Sequence, residues 1–584
     1  MIGGDNMKKK NSIHEFHNVF KMLKNYKLIC FLAFMCMLIS SLLRMFNGYI
    51  QGELLESIIA SNIKLALIIL GIYFLIFFIF DNIFSKVGAY LANKVELRLS
   101  KRLSLLVYKK VLNMPAYAFE ERTSGELINR INSDTKTLSN NLESVIDILI
   151  EIVTDIIIFI YIVYNSYIIG LEIVAFLILI FFVIKIFDPK MKKINESIKK
   201  TEDSYSALSN ETIRGIREIK TLGIKPNLFK EVSYLRDILL NKEETDIKYN
   251  RLYRIVMSAI KTALEVVVYL TCVIEIAKGN LNIGFFMSMT WYIYRYTWFI
   301  ETISQMNKNY QQMFVSLKRI NEVIDNTLYH DETYGNIKLK NIKGNIRFEN
   351  VTFAYKNENA TLKKFSATFE PNKKIAIVGK SGQGKTTIFN LITRIFDVEN
   401  GNIYIDDINI KDIDEESFRK NVSVIRQEPF IFNRTILENF KIVKPNIALK
   451  EVKKYCKMAY LDEYIESLPK KYHTLLGEGG VNLSGGQKQR LAIARSLAKE
   501  SKIILFDEAT SALDNESQVY IKKVIDELAK DHTVIIIAHR LSTIVDSDII
   551  YVIDNGKLKA TGTHKELLET SKIYNRLYKK EDEI

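Results

Sequence analysis

A chain of 584 residues, 48% of them apolar and with a formal net charge of +14, is long enough for several domains. The positive balance would suit nucleic acid, but the lysines run beside apolar segments, at Lys8 to Lys10 and at Lys190, Lys192, Lys193, Lys199 and Lys200. That pattern fits loops held on the inner side of a membrane and argues against a nucleic-acid partner. Cys30, Cys36, Cys272 and Cys456 have no paired spacing, which sets aside a disulfide framework or a cysteine metal site.

A bilayer core of about 30 Å needs about 20 mostly apolar residues per helix. The first half of the chain offers six such runs, near residues 28–50, 63–84, 145–164, 168–188, 254–277 and 283–303. No small-residue cleavage site follows the first run, so it reads as a retained helix, and the short stretch before it leaves no room for an N-terminal peptidase domain. Only Asn165 to Tyr167 separates the third run from the fourth, whereas the second-to-third and fourth-to-fifth connections are long, polar and rich in lysine. The long connections predict paired cytoplasmic arms, each of about 30 helical residues reaching about 45 Å. Their expected tips are 115–125 (PAYAFEERTSG) and 211–223 (ETIRGIREIKTLG), which composition alone does not distinguish from plain helical turns.

Asp147, Glu151 and Asp155 recur every four residues on the third run and share one face. Counted from Tyr164, Asp155 lies about 14 Å down the helix, near mid-membrane. The stripe either contacts a cationic or peptide substrate or forms intramembrane ion pairs, with Lys261 and Arg295 as the available cations and Glu265 a second partner for Lys261. Trp291 and Trp298 share a face of the sixth run with Tyr294 nearby, which suits an aromatic pocket, interfacial anchoring or helix packing.

From about Gly344 the pattern changes to short strands alternating with helices, an α/β domain with a largely parallel sheet. The expected organisation is therefore multi-domain: an all-α six-helix transmembrane domain over 1–315, a linker over 316–343 and an α/β phosphate-loop ATPase domain over 344–584. The strand KIAIV, Lys374 to Val378, runs into Gly379, Lys380, Ser381, Gly382, Gln383, Gly384, Lys385 and Thr386, followed by Thr387 and a helix. Such a loop cradles phosphates with backbone amides, directs Lys385 to the outer ones and offers Thr386 to magnesium. A second buried strand, Ile503 to Phe506, ends in Asp507 and Glu508, which suit magnesium and the activation of a water respectively.

The stretch Leu483-Ser484-Gly485-Gly486-Gln487 followed by KQRLAIARSL resembles the signature of ATP-binding cassette proteins. In the same order, Tyr355 resembles the aromatic that stacks on adenine, Gln427 the Q-loop glutamine, Ser511 to Asp514 (SALD) the D-loop and His539 the switch histidine. Phe119 to Asp134 (FEERTSGELINRINSD) and the 211–223 tip resemble the coupling regions of six-helix exporters, so the resemblance spans nearly the whole chain. One departure is Gly477-Glu478-Gly479-Gly480, where many relatives have GERG.

The resemblance implies ATP and Mg2+ as ligands, with Glu508, His539, Lys385 and Gln427 in hydrolysis. It implies nucleotide contacts from Tyr355, Gly379 to Thr387, Ser484, Gly485, Gly486, Gln487 and Asp514, and magnesium held by Thr386, Gln427 and Asp507. The signature serine of one subunit caps the nucleotide of the other, so two half-transporters are required: a homodimer is expected, with a mixed pair as the alternative. The implied function is ATP-driven export of a drug, lipid or peptide across a bacterial cell membrane by alternating access, with the N-terminus and ATPase in the cytoplasm. An importer or an ATP-driven signalling protein of the same architecture remains open.

Overall fold

The computed structural model describes residues 24–121, 124–140, 142–356, 359–477, 480–507, 515–537 and 544–582. They form two compact units, one containing the chain up to Val111 with Gly125–Thr327, the other Leu112–Ser124 with Leu328–Ile584.

Among its described residues the first unit is built on six long helices: α1 Lys27–Ile59, α2 Ile63–Leu112, α3 Leu142–Asn165, α4 Tyr167–Arg214, α5 Lys225–Ala277 and α6 Ile283–Ile324. The expected arms are continuations of the membrane helices. α2 passes through a π-helical stretch at Phe74–Asp81 and runs on to Leu112, while α4 continues through Pro189 to Arg214. α4 and α5 are tied along their polar lengths by Lys242, whose Nζ donates to Thr201 Oγ1 at 2.7 Å and to the Ser197 carbonyl at 3.3 Å.

α6 likewise continues to Ile324, past the expected linker start at 316. No helix breaker interrupts it, and Leu317, Ile320 and Val323 recur at helical spacing and are buried. The stretch quoted above as a coupling region holds this extension. Buried Arg130 donates to the Arg319 carbonyl (2.7 Å) and pairs with Glu322 (3.0 Å), and Asp134 accepts from Ser316 (2.9 Å).

Four described helices, α1, α2, α4 and α5, are long and apolar enough to cross a membrane by length and composition. α3 and α6 are interrupted by polar residues, and these meet each other. Arg295 Nε of α6 donates to Asp155 Oδ1 of α3 at 2.7 Å, and its Nη2 donates to Thr154 Oγ1 at 2.7 Å. Of the two readings of the acidic stripe, ion pairing therefore holds at Asp155, with Arg295 as its partner. Lys261 lies over the Tyr294 ring at 5.4 Å. Glycines bring α1 against α6: a Cβ on Gly52 would stand 2.4 Å from the Gly284 carbonyl, and Ser288 donates to the Gly48 carbonyl.

The second unit has two sheets. β1 Ile346–Phe353, β2 Leu362–Phe369, β4 Asn400–Ile405 and β5 Ile408–Asn409 form an antiparallel sheet in the order β2-β1-β4-β5. β3 Lys374–Val378, β6 Val422–Ile425, β7 Ile503–Asp507, β8 Thr533–Ile537, β9 Ile549–Asp554 and β10 Lys557–Gly562 form the second, in the order β10-β9-β3-β8-β7-β6. From β9 to β6 all pairs are parallel. β3 and β8 are buried throughout, as expected of strands covered on both faces.

Removing either member of the buried pair alone, by Asp155→Asn or Arg295→Gln, is expected to cost about 3–5 kcal/mol. The double replacement should cost less than either single one, because no charge is then left unpaired. Thermal unfolding of the four proteins in detergent tests that order.

Candidate active site

Register in the parallel sheet assembles the site. Ile377 of β3, Ile537 of β8 and Asp507 of β7 lie side by side, and Phe506 pairs with Ile425 of β6. The loop after β3, the end of β7 and the loop after β6 therefore leave the same carboxyl edge, where ligands of open α/β sheets bind. Gly379 to Gly384, Asp507 and Gln427 stand on those three segments. Glu508, Ser511 to Asp514 and His539 lie outside the described residues, as do Glu478 and Gly479 of the departure before the signature.

The phosphate loop is shaped by close backbone approach. A Cβ on Gly379 would meet the Ile553 carbonyl at 2.4 Å, and Gly382 and Gly384 adopt φ of +78° and +95°. Gly384 caps α7, Lys385–Ile392, whose free N-terminal amides favour an anion. Lys385 is buried, and its Nζ donates to the carbonyls of Gly379 (2.8 Å) and Lys380 (3.0 Å), so the ammonium is held at the loop itself. Gln383 accepts from the Asn555 amide, which ties the loop to the turn between β9 and β10.

Tyr355 stands beside the start of α7: its hydroxyl is 3.1 Å from Thr387 Oγ1, and its ring meets Phe396 edge-on at 5.1 Å. Phe396 in turn stacks on Tyr117 at 5.7 Å and 16°. Tyr117 belongs to Leu112–Ser124, the part of the first expected tip that groups with this unit. Phe396 was not singled out from sequence, where it is one phenylalanine among 32.

Ser484 caps α8, Gly485–Ala498, in a reciprocal capping box with Gln487 that leaves Ser484 and Gly485 exposed. Gln489, inside the signature run but not among the residues picked from sequence, is buried and donates to the Gln427 carbonyl at 3.0 Å. The signature helix and the Q-loop backbone are thus linked within one chain. At the other end of α8, Lys499 donates to the Val422 carbonyl at 2.8 Å, and burial, then the Arg419 charge, lowers its ammonium to about 8.

At this edge Thr386 presents an exposed hydroxyl, and Asp507 and Gln427 stand on neighbouring segments, oxygen donors of the kind a hard cation takes. No group of three His, Cys, Asp or Glu that could hold a metal ion occurs among the described residues.

This is the architecture of a nucleotide-driven membrane transporter: a helical membrane region followed by an α/β nucleotide-binding domain. Residues 30–298 match the model for the ABC transporter transmembrane region, and residues 362–511 match that for the ABC transporter. The chain is 34% identical over 499 residues to the ATP-dependent lipid A-core flippase of Haemophilus influenzae strain 86-028NP, covering 84% of this chain and 83% of the relative. The flippase of Pasteurella multocida is 34% identical over 499 residues, covering 84% of each, and that of Haemophilus ducreyi 29% over 578 residues, covering 97% and 98%. A solved bacterial Atm1-family ABC exporter with ATP bound shares the fold, with a TM-score of 0.82 and 24% identity over 96% of this chain and 99% of that chain. The chain belongs to the ABC transporter family; it is a fused-domain exporter half-transporter that hydrolyses ATP.

Gly384→Ala places a Cβ at positive φ and 2.9 Å from Leu362 Cδ2, and is expected to cost about 1–2 kcal/mol and to weaken nucleotide binding. Denaturant unfolding and titration with a fluorescent ATP analogue read the two effects. For Lys499, a folded value of about 8 lies below the unfolded value of about 10.4, so the unfolded chain holds more protons between them. Stability from this group accordingly rises with pH across that window, and Lys499→Met should flatten the rise in melting temperature.

Proposed function

We propose that two copies of this chain form an exporter in which ATP closes the ATPase units on each other and hydrolysis reopens them. The observation that carries this reading is the shared carboxyl edge of the parallel sheet, with the phosphate loop, Gln427 and Asp507 on adjacent segments. In it, Lys385 exchanges its two loop carbonyls for the outer phosphates, while the α7 amides hold the inner ones. Tyr355 supplies an aromatic face to the base. Thr386 and Asp507, with Gln427, are the residues suited to hold Mg2+, which when bound screens the phosphate charge. Glu508 accepts the proton of the attacking water, and His539 donates toward the phosphate being transferred.

The exposed Ser484 and Gly485 cap the nucleotide of the partner copy, so one chain holds two half-sites and no complete one. Nucleotide binding then favours the closed dimer because only that state satisfies both halves, and the long helices carry the change into the membrane. Export proceeds across a bacterial cell membrane, with the ATPase and N-terminus in the cytoplasm. The relatives are named for a lipid, lipid A-core, and a substrate that partitions into the membrane suits this chain too.

ATP hydrolysis by the purified chain in lipid nanodiscs, beside Glu508→Gln, tests the assignment. Wild-type turnover falling at least about a hundredfold in the variant is expected of a lost general base. Equal turnover in both would sink the role of Glu508, and turnover in neither would mean that a different partner subunit is needed.

A further inference from the structure

We propose that the substrate is an amphipathic organic cation, bound where the acidic face of α3 meets the aromatic face of α6; this rests on the exporter reading above. Along α3, Asp147, Glu151 and Asp155 share one face. Along α6, Trp291, Arg295 and Trp298 stand at i, i+4 and i+7 and share another. The Arg295–Asp155 pair at 2.7 Å sets these two faces together.

Neighbouring contacts fix the direction. Tyr161 of α3 meets Phe285 and Tyr292 of α6, with centroids 6.2 and 5.8 Å apart, and the Tyr296 hydroxyl donates to the Asp155 carbonyl at 2.9 Å. Residue numbers fall along α3 as they rise along α6, so the helices are antiparallel. Continuing that register brings Glu151 level with Trp298, one turn beyond the ion pair.

Among the described residues, charge does not balance at this level. The Asp155 side chain is 7% exposed, and its Oδ1 takes the Arg295 donor. Its Oδ2 is buried without a hydrogen-bond partner among the described residues, and so is Glu151 Oε2. Arg295 also interacts with Glu151 electrostatically, and one guanidinium thus serves two carboxylates, with Asp147 acting on Glu151 from the next turn. Arg44, the other cation acting on Glu151, stands 3.8 Å from Asp81. Carboxylates at this depth are costly and are met by a partner or a ligand, and one more positive charge is what these two orphaned oxygens would accept.

The rings supply the remainder of the recognition. Aromatic faces attract cations most strongly where water is excluded. Those of α6 already do so, with Arg295 5.9 Å from the Trp291 ring centroid and Lys261 5.4 Å from that of Tyr294. Trp298, 48% exposed, offers the next ring along the same face. A carboxylate that fixes a positive centre and rings that cover its apolar substituents select a bulky organic cation and reject an anion of the same shape.

Tetraphenylphosphonium and tetraphenylborate are such a pair, alike in shape and opposite in charge. The chain's only two tryptophans are Trp291 and Trp298, so their emission reports binding directly in nanodiscs whose scaffold lacks tryptophan. The phosphonium should give a saturable change that the borate neither reproduces nor competes away. Glu151→Gln should weaken it about tenfold or more, the scale of a lost buried charge pair, while Glu151→Asp, which keeps the charge, should restore most of it. Equal response to both ions, or equal affinity in wild type and Glu151→Gln, overturns the proposal. Binding is read without nucleotide, and ATP hydrolysis is measured in the same preparation. Hydrolysis without charge-selective binding defeats the cation inference alone, whereas charge-selective binding without hydrolysis upholds the site and defeats the reading of two identical copies as a self-sufficient exporter.

Discussion

A charge in hydrocarbon must find a partner, and in this protein that demand falls on Arg295 and Asp155. α3 and α6 each carry one member of the pair. Joined, they satisfy each other and bring Thr154, Ser41 and Tyr296 into one polar knot. Leu149, Ile152 and Ile156 of α3 are exposed like the apolar side chains of α2, so the charged pair is turned inward and apolar faces are left for lipid. The large exposed side chains of α2, such as Leu67, Phe74 and Phe78, are in keeping with that division.

The ATPase unit answers a different constraint. Its site is made mostly of backbone, so its geometry depends on strand register and on a few positions without a Cβ. Gly379 lets the loop pass against the Ile553 carbonyl, and Gly384 takes up the left-handed turn into α7. Side chains then need only short reach: Lys385 from the first turn of α7, Asp507 from the last residue of β7. Gln489 adds a cross-link from the signature helix to the Q-loop carbonyl, so a displacement of one is felt by the other.

The phosphate loop, the signature and the strand ending in Asp507 were legible in sequence because each couples a local pattern to a required backbone shape. The membrane runs were legible for a similar reason, since length and apolarity are local properties. What lay beyond reach depended on side chains far apart in sequence. Arg295 was one of two candidate partners for the acidic stripe, and only the packing of α3 on α6 selects it for Asp155. The end of α6 was set too early because a polar surface disguises a helix whose buried face shows only Leu317, Ile320 and Val323. Arg130 and Asp134, quoted within a family motif, turn out to hold that extension, a role that spacing could not reveal.

The rings of Tyr117, Phe396 and Tyr355 form one packed chain within the second unit. Tyr117 comes from the loop that directly follows α2, yet it packs on Phe396, which also braces Tyr355 and Phe353. Each aromatic contact is worth only about 0.5–1.5 kcal/mol beyond its buried area. That is small beside a phosphate site, but a coupling free energy of about 1–3 kcal/mol is all that a several-fold linkage between two sites requires. An aromatic base laid against Tyr355 would stiffen the same ring whose neighbour holds Tyr117.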